Sequence, residues 1–127
     1  MLCGDAELQE GSIWEAMWLA AFHELDNLMV LVDDNQIGSV TRTKNVADTS
    51  RILPALEALG CTLETVDGHD ISEIVGEIDA RYLGHLPRII HCQTVKGQGV
   101  SFMRGDPNYH YRPLNDETYA QAMAEQA

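Results

Sequence analysis

Leu28-Met29-Val30-Leu31-Val32-Asp33-Asp34-Asn35 is a continuous apolar run closed by two acids and an amide. A strand with one wet face alternates apolar and polar residues, whereas a strand covered on both faces by helices reads as an unbroken Val/Leu/Ile run. Leu28 to Val32 is therefore expected to be a doubly covered parallel strand, ended by the acid and amide cluster. Parallel neighbours need crossover helices, and the flanking sequence supplies them.

Upstream, Met1-Leu2-Cys3 reads as the tail of a buried strand before a Gly4-Asp5 turn. Ser12 and Glu15 have capping-box spacing and predict a helix from about Ile13 to Asp26. Its apolar residues, Ile13, Trp14, Met17, Trp18, Ala20, Ala21, Phe22 and Leu25, cover more than one stripe, which implies a second buried contact with another subunit. Downstream, Gln36 to Asn45 is a polar loop, and the spacing of Ile52, Leu53, Leu56 and Leu59 predicts a helix over about Thr49 to Leu59. Pro54 fits only near its start, and Gly60 suits a left-handed cap. Cys61 to Val66 reads as a strand and Asp67-Gly68-His69-Asp70 as a turn. Asp70 with Glu73 would cap a helix from Ile71 to Leu83, ended by Gly84. A strand from Arg88 to Thr94, an irregular stretch from Lys96 to Pro113 and a helix from Asp116 to Glu125 complete the chain. The expected fold is α/β, a mainly parallel sheet flanked by helices in one domain, with ligands bound beyond the carboxyl ends of the strands.

Composition sets the outer bounds. At 127 residues one core is expected, burying roughly two thirds of the unfolded surface. The net charge of -12 opposes a nucleic-acid backbone but tolerates a small diphosphate neutralised by a cation. No apolar run is long enough to span a bilayer and no basic leader precedes one, so the expected location is cytoplasmic. Cys3, Cys61 and Cys92 are odd in number, scattered, and set in apolar runs, which fits buried reduced thiols.

Two segments carry chemistry. Gly4-Asp5-Ala6-Glu7-Leu8-Gln9-Glu10-Gly11 ends one apolar run, and Asp33-Asp34-Asn35-Gln36-Ile37 ends the next. Magnesium takes six oxygens and keeps water and phosphate among them, so a carboxylate from Asp5, the amide oxygen of Asn35 and one backbone carbonyl suffice from the protein. Amides in the turn around Gly4 to Glu7, ahead of a helix, favour an anion. The remaining histidines invite plainer readings: His23 and His85 at the surface, His91 a satisfied strand residue, His69 a shaper of the Asp-Gly turn. Lys96 stands in a glycine-rich loop that lacks the Ser or Thr of a P-loop.

These motifs, with Asp67-Gly68-His69-Asp70 and Thr94-Val95-Lys96-Gly97-Gln98-Gly99-Val100-Ser101-Phe102-Met103, resemble the carboxyl-terminal part of the thiamine diphosphate-binding domain of transketolases. The likeness is greatest to transketolases whose amino-terminal half is a separate subunit. It implies that Asp5, Asn35 and the backbone oxygen of Ile37 bind Mg2+, and that the backbone of Gly4 and Ala6 meets the diphosphate of thiamine diphosphate. It further implies that Glu10 lies at a dimer interface linking two active sites, and that His110, within Tyr109-His110-Tyr111, is a catalytic histidine on the diphosphate and substrate side. Ala6 stands where the family's third motif residue is commonly glycine, and Tyr111 replaces another glycine. A motif beginning at residue 4 implies a partial domain that completes itself in a homo-oligomer or with a partner subunit carrying the upstream segment and a pyrimidine domain. The activity implied is transfer of a two-carbon ketol unit between sugar phosphates, with the chain inactive alone. The alternatives are a catalytically silent α/β interaction module of the same descent, or another thiamine diphosphate enzyme such as a deoxyxylulose-phosphate synthase or ketoacid dehydrogenase component.

Overall fold

In the computed structural model, residues 1–39 and 41–126 are described. Val40, in the expected polar loop, lies outside them. Strands β1 (Leu2–Gly4), β2 (Met29–Asp34), β3 (Thr62–Asp67) and β4 (Arg88–Gln93) form one sheet in the order β1-β2-β4-β3. Every pairing is parallel, with Gly4 opposite Asp33, Val32 opposite His91 and Val66 opposite Cys92. Helices α1 (Gly11–Phe22), α2 (Thr49–Ala58), α3 (Ile71–Asp79) and α4 (Asp116–Glu125) surround it, as the apolar runs imply.

The Leu28–Val32 run is covered unequally on its two sides. Val30 and Val32 pack with Cys3, Leu8, Met17, Ala21, Ile52, Leu53, Leu56 and Ile89 in the main core under α1 and α2. The opposite face holds a smaller cluster of Val66, Ile90 and Cys92, with Met29, Leu31 and Ile74 of α3 against it. Leu2, on the edge strand, is 74% exposed. The three cysteines are buried and free, as expected, and burial pushes each thiol's pKa up.

Helix ends depart from expectation where long-range contacts set them. The Ser12 and Glu15 capping box does not form: a 3₁₀ turn over Glu7–Gln9 runs into α1, Glu10 is its N-cap, and no side chain caps it. The helix stops at Phe22 rather than Asp26 because Glu24 takes a left-handed φ of 51° and Leu25 N–H closes onto Ala20 O at 3.0 Å. No glycine signals that stop. In α2, Asp48 accepts from Ser50 N–H at 3.0 Å, and Pro54 sits in the helix interior rather than its first turn. Gly60, at φ 103°, is the left-handed residue its position predicts. Helix α3 ends at Asp79, short of Leu83 and Gly84, where the guanidinium of buried Arg88 donates to Glu77 O at 2.8 Å and satisfies a carbonyl of the last turn. Asp70 caps it through Ser72 and Glu73 N–H, but the Glu73 carboxylate reaches Asp67 N–H instead of completing the box. A 3₁₀ turn at Pro107–His110 interrupts the stretch expected to be irregular. Among the described residues, no helix is long and apolar enough to cross a membrane.

Candidate active site

Beyond the carboxyl ends of β1, β2 and β4 lies a cavity of about 580 Å³. Its walls include Gly4, Asp5, Ala6, Glu10, Asn35, Ile37 and His110, the seven residues singled out from the sequence. The parallel register does the gathering. With Gly4 opposite Asp33, the turn after β1 and the turn after β2 must open side by side. Lys96 of the glycine-rich loop after β4 also reaches the wall, as do two residues the sequence did not single out, Glu7 and Thr43. Thr43 carried no signal because it approaches only when the polar loop folds back, with Thr43 N–H donating to Gln36 O at 3.1 Å.

Asp5 is the most constrained group. Its backbone N–H donates to Asp33 O at 3.0 Å, its Oδ1 accepts from Ala6 N–H at 2.7 Å, and its Oδ2 accepts from Thr43 Oγ1 at 3.3 Å. Only 2% of its surface is exposed. Burial, reinforced by the neighbouring Asp34 carboxyl, pushes its pKa up from 3.8 to about 6 despite amide hydrogen bonds that favour the anion. Asp34 moves the other way. Burial opposes its ionisation, but the hydrogen bonds of its carboxylate with His91 and Thr49 outweigh that and hold it below the ordinary carboxylate range. His91 Nε2 lies 2.8 Å from Asp34 Oδ2, and Thr65 Oγ1 lies 3.2 Å from His91 Nδ1, so this histidine is satisfied in the core as expected. Asp34 Oδ1 is buried with no partner among the described residues.

Asn35 Nδ2 donates to Asp33 Oδ2 at 3.1 Å, and Asn35 Oδ1 accepts from Ile37 N–H at 3.1 Å. His110 stands exposed in its 3₁₀ turn, edge-on to the Tyr111 ring at 4.6 Å. His69 does more than shape its turn: its Nε2 accepts from Val95 N–H at 2.8 Å, immediately before Lys96. His23 and His85 are exposed.

The donor set suits a hard divalent cation with ligands of its own. Asp5 is a buried carboxyl on this wall, and the buried carboxyl of Asp34, which lines a separate cavity with His91, has one oxygen without a partner among the described residues. A cation would neutralise the Asp5 carboxylate. No cluster of three or more His, Cys, Asp or Glu side chains arranged to hold a metal occurs among the described residues. The remaining ligands would therefore come from Asn35, backbone, water and phosphate. Two amides suited to an anion are already engaged, Gly4 N–H by Glu7 Oε2 at 2.7 Å and Ala6 N–H by Asp5.

Residues 1–126 match the family described as transketolase, thiamine diphosphate binding domain. One of the subunits of the apulose-4-phosphate transketolase of Actinobacillus succinogenes is 36% identical over 118 residues, which are 92% of this chain and 43% of that protein. The 6-deoxy-6-sulfo-D-fructose transketolase subunit SqwG of a Clostridium species is 32% identical over 98% of this chain and 46% of its own length. Among solved structures, the transketolase of Campylobacter jejuni superposes with a TM-score of 0.88 at 30% identity, covering 98% of this chain and 20% of that one. The chain thus spans less than half the length of these relatives. The family match over nearly the whole chain and the close superposition agree, and the chain belongs to the transketolase thiamine diphosphate-binding domain family.

Proposed function

We propose that this chain is the magnesium- and diphosphate-binding module of a transketolase that moves a two-carbon ketol unit between sugar phosphates. The observation that carries the reading is the convergence of Asp5, Asn35 and Ile37 with Gly4, Ala6 and His110 on one cavity. Asp5, Asn35 and the Ile37 carbonyl would hold Mg2+, and the cation would neutralise both the diphosphate and the buried Asp5 carboxylate. The Gly4 and Ala6 amides would face the diphosphate, with Lys96 and His110 also on the cavity wall. Thiamine diphosphate, when bound, supplies the carbanion chemistry of ketol transfer. The chain's own residues would position it and keep its charge paired at the sheet edge. As a single partial domain the chain would be inactive alone. A second copy or a partner subunit would bring the pyrimidine side, cover the exposed β1 edge, and meet Glu10 at the contact.

A second reading has one observation behind it. With Gly4 N–H taken by Glu7 and Ala6 N–H by Asp5, the anion seat is filled by the chain's own carboxylates, as it would be in an interaction module that no longer holds cofactor. Calorimetric titration of thiamine diphosphate with and without Mg2+, on the wild type and on Asp5→Ala, separates the two. The first reading expects metal-dependent binding that Asp5→Ala abolishes. Metal-independent binding that survives the substitution would overturn the proposed site, and no binding in the presence of a partner subunit would establish the silent module.

A further inference from the structure

Asp33 and Thr94 sit beside the cavity without a role in the reading above. Thr94 follows β4, and its N–H donates to Asp34 O at 3.0 Å. Its hydroxyl then reaches across to donate to Asp33 Oδ1. The other carboxylate oxygen of Asp33 takes the Asn35 Nδ2 donor at 3.1 Å, while Ile37 N–H donates to Asn35 Oδ1 at 3.1 Å. A carboxylate can only accept and a backbone N–H can only donate, so both neighbours select the same one of the two amide orientations. The flipped amide would set oxygen against oxygen at Asp33 and N–H against N–H at Ile37. The orientation retained leaves Asn35 Oδ1 a second lone pair beside the cavity.

Thr94 is itself held from behind. Gly68 N–H donates to Gln93 O at 2.8 Å, and a Cβ at Gly68 would collide with Thr94 Cγ2, so the Asp67–Asp70 turn is pressed against this position. His69 accepts the next amide, Val95 N–H, at 2.8 Å. A donor pinned on one Asp33 oxygen stops that carboxylate from rotating, which keeps the other oxygen on the amide.

We propose that Thr94 and Asp33 are positioning residues that lock the Asn35 side chain with its oxygen, not its nitrogen, toward the cation. The inference rests on the magnesium reading of the cavity. Groups that orient metal ligands are worth about 10–100-fold in metal affinity. The test uses the full chain with thiamine diphosphate, Mn2+ as a paramagnetic stand-in for Mg2+, and electron paramagnetic resonance to count free ion. Thr94→Val removes the donor and keeps the shape, and is expected to weaken Mn2+ binding about 10–100-fold. Thr94→Ser keeps the hydroxyl and is expected to retain wild-type affinity. In an Asn35→Ala background Thr94→Val should cost nothing further, a result that general loosening of the fold would not produce. Should Thr94→Val fail to fold, Asp33→Ala carries the same comparison. A second readout needs no metal: the Asn35 side-chain NH2 protons should exchange with water faster in Thr94→Val than in Thr94→Ser. Unchanged Mn2+ affinity in Thr94→Val while Asp5→Ala abolishes binding would overturn the clamp alone. Wild-type affinity in Asp5→Ala, or no Mn2+ binding by the wild type, would overturn the magnesium reading and the clamp with it.

Discussion

Asp5 and Asp34 each follow the register pair of Gly4 and Asp33 at the carboxyl ends of β1 and β2, both are buried, and their acidities move in opposite directions. Asp34 Oδ2 is committed to His91 and Thr49, which favours the anion there. Among the described residues Asp5 forms no ion pair, and it carries the burden of burial, so a proton on Asp5 is the least costly way to keep both acids in the protein without a cation.

This asymmetry predicts that the contribution of Asp5 to stability falls with rising pH. Between 3.8, the ordinary value, and about 6, the folded chain retains a proton on Asp5 that the unfolded chain has released. Stability is therefore lost as pH rises through that window. The deficit, about 3 kcal/mol, is fully present above it and absent below it. Asp5→Asn should raise the metal-free chain's stability by up to about 3 kcal/mol near neutral pH and leave it unchanged at about pH 3.5. Urea unfolding of both proteins at the two pH values checks this. Equal stability differences at both would show that Asp5 carries no buried charge.

Glu7 holds the Gly4 amide at 2.7 Å within the cavity wall. Glu7→Ala frees that donor and removes a negative charge from an anion seat, an effect of about 1 kcal/mol or about fivefold in affinity. Titration with inorganic pyrophosphate and Mg2+ should show tighter binding than in the wild type. Weaker binding would mean that Glu7 assists the anion through a contact it makes only when bound.

Gly68→Ala should destabilise the chain by about 1–3 kcal/mol, because the new methyl would meet Thr94 Cγ2 and lie 3.0 Å from Gln93 O. Thermal unfolding measures the loss. Amide exchange at Val95 should rise in the same variant, since the turn that presents His69 to it is displaced.

On α1, Trp18 is 64% and Phe22 75% exposed, while Trp14 of the same helix packs on the core and donates from its indole to Leu8 O at 2.8 Å. Exposed aromatic surface gains free energy when a partner covers it. Sedimentation should show concentration-dependent association that Trp18→Glu with Phe22→Glu abolishes. A monomer at all concentrations in the wild type would place the covering partner outside this chain.

Much of this was legible because it depends on near neighbours. The Leu28–Val32 run announced a covered strand, Gly60 announced its left-handed cap, and Asp70 announced the start of α3. Helix ends set by distant groups were not legible: α3 stops where Arg88 reaches Glu77 O, and α1 stops at a left-handed glutamate. Within the cavity, Gly4, Asp5 and Asn35 stood out in motifs, and Ile37, Glu10 and His110 stood out by resemblance. Thr43 and Thr94 did not, since each acts on a carboxylate far away in sequence.

By itself the sequence determined the α/β class, the parallel sheet and the family, because apolar period, turn residues and motif spacing are properties of short stretches. Only the tertiary structure decided which carboxyl of the Asp5 and Asp34 pair is driven toward the protonated state, and which way the Asn35 amide faces. Both outcomes are set by hydrogen-bond partners that the sheet register brings together across gaps of many residues, and no local pattern encodes a partner that arrives only when the chain has closed.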